Sequence, residues 1–167
     1  MSVISTYSPE SLEGCFKKFI IEENERLPYK SVTKEGFKFE IVRGHDIGLN
    51  GYIYLNKNII EKMDNEIDLL TDWHPHYGIT FSGQLKDNPL EYKYGFDCSH
   101  CHDLAGMYEI DDDPSLWLLY SQFIINPLYD NKYKLKDAIR LGYKDMKYVS
   151  SEIETWSSKI QEKILSK

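Results

Sequence analysis

The sequence predicts one α+β domain, an antiparallel sheet of about four or five strands packed by the N- and C-terminal helices. Three observations predict it. Apolar residues recur at helical spacing near both ends, period-two alternation fills several segments between them, and turn-forming clusters separate those segments. At 167 residues the chain suits one real core better than two, so the domain is expected to span 1–167.

Ser8-Pro9-Glu10 reads as a helix start: a hydroxyl cap, proline at the first helical position and an acid in the first turn. Leu12, Phe16, Phe19 and Ile20 continue at helical spacing, which gives a helix over about 9–26, ended by Pro28. Phe37, Phe39 and Ile41 then alternate with Lys38, Glu40 and Val42, the period of a half-buried strand. A turn from Gly44 to Gly51 leads to a second strand, Tyr52 to Leu55, and a weaker helical pattern covers Ile59 to Trp73. Tyr77 to Ser82 and Tyr92 to Cys98 read as two further strands, joined by the turn-rich Gly83 to Pro89.

Three aspartates and Pro114 precede the most apolar run, LWLLYSQFII, which fits a helix entry, although periodicity leaves a buried strand open there. The C-terminal segment is clearer. Val149, Ile153, Trp156, Ile160 and Ile164 form one apolar stripe with charged residues opposite, the pattern of a long amphipathic helix on a core.

Composition narrows the partners. The net charge is −7 and only three arginines occur (Arg26, Arg43, Arg140), so the basic footprint of a duplex nucleic-acid binder is missing. No stretch approaches the ~20 apolar residues of a membrane span, and the N-terminus lacks a secretory pattern. The expectation is a soluble cytoplasmic protein without a membrane partner. A small anionic ligand stays compatible with this balance, and so does a homo-oligomer. Three cysteines in such a chain do not suggest a disulfide framework.

Chemistry-bearing residues concentrate in one window. Four of the five histidines and two of the three cysteines fall between His74 and His102. Cys98-Ser-His-Cys-His102 formally matches the C-x-x-C-H pattern of attached haem, but such attachment goes with export. Cys98, Cys101, His76 and His100 could supply four zinc ligands, yet the usual two well-spaced ligand pairs are missing. No metal and no cofactor is therefore expected. If residues 76–82 are extended, alternation puts His76, Gly78, Thr80 and Ser82 on one face, the floor of a small polar pocket. Asp97, His100 and Asp103 would join it from the next strand end, and the chain's 13 tyrosines, Tyr77 among them, supply aromatic faces that stack on nucleobases.

HYGITFSG (His76 to Gly83) followed by YGFDCSHCHD (Tyr94 to Asp103) resembles a widespread group of small bacteriophage proteins, whose usual pattern is HGGLTYSG and then GFDCAHAGD. Gly51-Tyr-Ile-Tyr-Leu55 resembles the GYVxVP strand of that group, and Tyr143-Lys-Asp-Met-Lys-Tyr148-Val-Ser-Ser-Glu152 resembles its Y+xxxYVxxE entry to the last helix. The four blocks keep their order over about two-thirds of the chain. Cys101 and His102 depart from the pattern, where it has Ala and Gly, and Asp111 to Leu135 is longer than the usual connection.

The resemblance implies a phage protein acting in the host cytoplasm. By analogy with phage proteins that intercept nucleotide alarm signals, the expected function is capture of a small nucleotide-derived immune signal. Its ligand-binding residues would be His76, Tyr77, Thr80, Ser82, Asp97, His100 and Asp103. The alternative is a phosphodiesterase-like hydrolase with His76 and His100 as acid and base. A second alternative is inhibition of a host protein through the acidic surface.

Overall fold

Alternating burial along Leu49–Asn56, with every second residue sealed from solvent, marks the middle of the sheet. A computed structural model describes residues 12–44, 48–63, 73–99 and 143–167. The expected helix start at Ser8, the apolar run after Asp111, and His100, Cys101, His102 and Asp103 lie outside the described residues.

The elements run α1 (Leu12–Asn24), β1 (Tyr29–Val32), β2 (Lys38–Arg43), β3 (Leu49–Asn56), α2 (Lys57–Lys62), β4 (Phe81–Gln84), β5 (Glu91–Asp97) and α3 (Met146–Leu165). The five strands form one antiparallel sheet in the order β1-β2-β3-β5-β4. This is the α+β architecture expected, with helices from both ends of the chain. The strands read over 77–82 and 92–98 are neighbours, as sequential strands commonly are.

One sheet face is the core. Phe39, Ile41, Leu49, Ile53, Leu55, Tyr94 and Phe96 point to it, and Val149, Ile153, Trp156 and Ile160 of α3 close it from above. Four of the five stripe residues of α3 are at most 2% exposed and the fifth, Ile164, is partly buried, so the helical period in the sequence does mark the buried side. The helix starts earlier than its stripe because Asp145 caps it, its Oδ1 accepting from the Tyr148 amide at 2.9 Å. Gly51 permits the close approach: a methyl there would stand 2.8 Å from both the Phe96 ring and Val149.

At the β1–β2 turn, Ser157 and Ser158 of α3 donate to the Glu35 carboxylate at 2.6 and 2.7 Å. These two hydroxyls, Ser157 first, hold Glu35 below the usual carboxylate range.

Three sequence expectations need correction. β1 was not expected: it is a four-residue edge strand with mostly exposed side chains, too short and too wet to show alternation. The helix expected from Ile59 to Trp73 begins at Lys57, where Asn56 caps it, and Trp73 itself is not helical. The strand expected from Tyr77 begins only at Phe81, because residues 75–78 form a turn. Among the described residues, no helix is long and apolar enough to cross a membrane.

Candidate functional site

Pro75-His76-Tyr77-Gly78 folds back on itself, the Gly78 amide donating to the Pro75 carbonyl at 2.8 Å. His76, Tyr77 and Gly78 all have positive φ, at 31°, 63° and 124°. Glycine adopts that region freely, but for His and Tyr it costs of order 1–3 kcal/mol each. Strain of this kind persists only where surroundings over-determine it. Here the surroundings are α3. The His76 amide donates to Glu152 Oε2 at 2.8 Å, and its ring Nδ1 lies 2.9 Å from the Tyr148 hydroxyl. The imidazole meets Tyr148 edge to face and Phe96 at a tilt, and His76 is 5% exposed.

Tyr77 has the opposite fate. It is 68% exposed, yet its ring stands edge-on against His76 with centroids 4.9 Å apart. Nearby on the chain leading into α3, the Lys144 ammonium sits 4.8 Å above the Tyr148 ring. Tyr148 thus meets a buried imidazole and a cation, and the outward Tyr77 ring is linked to it through His76.

The other expected site residues are placed differently. His76 is not on the strand that was to carry it, so alternation from His76 to Ser82 does not apply. Thr80 and Ser82 are exposed; the Thr80 amide donates to the Gly95 carbonyl at 2.9 Å, and Ser82 pairs with Tyr94 across β4 and β5. Asp97 pairs with Asn50 and follows Phe96, which puts it on the sheet face away from α3, where its Oδ1 accepts from the Ser99 amide at 3.2 Å. His76 and Asp97 therefore occupy opposite sides of the sheet. Cys98 is a buried core residue, and among the described residues no group of three or more His, Cys, Asp or Glu stands together to hold a metal.

Two polar clusters escaped the sequence reading. On the face away from α3, Glu40 accepts from the Tyr54 hydroxyl at 2.7 Å and faces Lys93 at 3.4 Å and Lys30 at 3.6 Å. Burial raises the Glu40 pKa, but Tyr54 and Lys93 more than offset it, so the carboxyl stays below its ordinary range. Tyr54 is pushed above the usual tyrosine range by burial and by that same carboxylate. Lys93 also lies 4.0 Å over the Tyr52 ring, which in turn packs on Phe81.

The second cluster joins α1, β2 and the entry to α3. Glu23 is 4% exposed at its side chain and meets the Arg43 guanidinium at 2.9 Å. The Tyr143 hydroxyl donates to the same carboxylate oxygen at 2.5 Å, and the Met146 amide donates to the other at 3.2 Å. Burial, then the Glu23 charge, drives the Tyr143 phenol well above its usual range. The available signal was thin: a charged residue at a strand end and a tyrosine before a helix are common surface features.

The residues behind the phage resemblance meet one another. His76 of one block contacts Tyr148 and Glu152 of a second, while Gly51 of a third lies under Phe96 of the fourth and Val149 of the second. No family model matches the chain, and no curated protein or solved structure matches it.

Proposed function

We propose that the protein is a phage-encoded anti-defence factor that binds and sequesters a small nucleotide-derived signal in the host cytoplasm, at the turn carrying His76 and Tyr77. The observation that carries binding is the strained turn itself. An exposed tyrosine ring is held in a left-handed conformation against a buried histidine, which α3 fixes through Tyr148 and Glu152. Preorganised aromatic surface suits base stacking, which tolerates many bases and is worth about 1–3 kcal/mol per base. The Lys144 ammonium beside Tyr148 suits a phosphate. The phage assignment rests on the resemblance of the four sequence blocks, and the anti-defence role on analogy.

The test incubates the purified chain with a panel of cyclic and ADP-ribose-type nucleotides, then follows free ligand and products by chromatography. Depletion of one nucleotide, with intact release on denaturation, supports sequestration. New products would replace this reading with the hydrolase. Neither depletion nor products across the panel would overturn both.

A further inference from the structure

Away from the His76 turn, the C-terminal half of α1, the start of β1 and the first turn of α3 enclose a cleft of about 310 Å³. That volume is at the small end of ligand pockets, which run ~300–1,000 Å³. The charges on its wall are unequally occupied. Both Glu23 oxygens are taken, one by Arg43 and Tyr143 and the other by the Met146 amide. Asp145 caps α3 through the Tyr148 amide, and Glu22 lies 3.9 Å from Lys18. Arg26 and Lys147 also line the cleft, and among the described residues neither has an ion-pair partner. Ser150 adds a hydroxyl to the same wall.

The aromatic part of the lining is preset. Phe19 stands edge-on to Tyr143 with centroids 5.8 Å apart, and Tyr29 leans on Phe39 at 5.9 Å while staying 37% exposed. Fixed rings lose little freedom when a planar ligand meets them. Because Glu23 and Asp145 already satisfy first-turn amides of α3, the pull on an anion comes from the side chains and not from the helix end.

We propose that this cleft is a second binding site, for a small anion with an aromatic body. Arg26, Lys147 and the Ser150 hydroxyl hold the charged head, and Phe19 and Tyr29 take the ring. The site is independent of the His76 reading and stands or falls by itself.

Phenyl phosphate is the probe, titrated into the whole chain by calorimetry and by amide chemical-shift mapping, with inorganic phosphate, phenol and benzylamine in parallel. Saturable binding of phenyl phosphate is expected, tighter than either of its halves alone, with shifts centred on Arg26, Tyr29, Lys147 and Ser150. Arg26→Gln and Lys147→Gln should each weaken it by roughly tenfold or more, the worth of one charge-assisted contact. Both positions are exposed, so the variants keep the fold, and Lys86→Gln, an exposed cation elsewhere, should bind as wild type does. Absent saturation, shifts centred elsewhere, affinity unchanged in both variants, or a preference for benzylamine would each overturn the assignment.

Discussion

Nδ1 of His76 lies 2.9 Å from the hydroxyl of Tyr148, a residue 72 positions further along the chain. One helical turn beyond Tyr148, Glu152 accepts the backbone N–H of the same histidine. Two side chains spaced four apart on α3 thus grip one residue from both its ring and its backbone. The grip offsets the unfavourable φ of His76 and Tyr77 and links the turn before β4 to the core helix.

Tyr148→Phe keeps the ring packing and removes only the hydroxyl. It should cost about 1 kcal/mol, the net worth of one hydrogen bond. Urea unfolding would show a lower midpoint with an unchanged slope. A variant as stable as wild type would mean that the His76 contact contributes nothing.

Substituting His76 or Tyr77 by alanine should weaken nucleotide binding by roughly ten- to a hundredfold, the loss of one or two contacts at ~1–3 kcal/mol each. No product should form with either variant or with wild type. Wild-type turnover that His76→Ala abolishes, with affinity retained, would identify an acid–base residue instead.

Gly51→Ala and Gly95→Ala probe two close approaches on opposite faces of the sheet. At Gly51 the added methyl meets the Phe96 ring and Val149, both side chains, so a loss of about 1–3 kcal/mol is expected from overpacking. At Gly95 the methyl runs into the Tyr52 ring and stands 2.8 Å from the Gly51 carbonyl oxygen, which is backbone and cannot give way. Thermal unfolding should rank Gly95→Ala as the more damaging. The reverse order would contradict the packing described.

Arg43→Met tests the Glu23 cluster. It leaves a carboxylate almost fully buried with its cation gone, which should cost about 3–5 kcal/mol. Tyr143→Phe removes one donor to that carboxylate and one acceptor for Arg43 but keeps the ion pair, and should cost less, about 1–3 kcal/mol. Equal small effects in denaturant titrations would show that the cluster is wetter than its geometry implies.

Glu40 sets part of the acid limb of stability. Its folded pKa is depressed, so its contribution is complete above the unfolded glutamate value of about 4.3 and is lost as pH falls through the lower folded value. Glu40→Gln should flatten the loss of stability below about pH 4–5 while leaving a constant penalty near neutrality. Parallel stability–pH curves for variant and wild type would argue against the Tyr54 and Lys93 contacts.

Legibility in the sequence followed the physics of each element. β2, β3, β5 and α3 were readable because each turns its large apolar side chains to one face, which imposes a period of two or of 3.6 on them. β1 buries almost nothing and left no trace. Residues 76–78 of the turn read as extended chain although Gly78 inside the pattern was a break signal, because its neighbours His76 and Tyr77 are residues that rarely adopt positive φ. For the site, the motif window did direct attention to His76 and Tyr77. It missed Tyr148, Glu152 and Lys144, whose relation to that window depends on how α3 crosses the sheet.

Composition and periodicity alone were enough for the α+β class, the antiparallel neighbourhood of the strands before and after the turn ending at Pro89, and the buried stripe of α3, since each follows from local patterns of apolar residues. Which polar side chains meet was settled by the packed chain. Glu23 with Arg43, Glu40 with Lys93, and His76 with Tyr148 join distant segments, and the separation of His76 from Asp97 follows from a turn and a strand register. Polar contacts at long sequence separation carry no period. Only the three-dimensional path of the backbone brings such groups within the few ångströms over which a hydrogen bond acts.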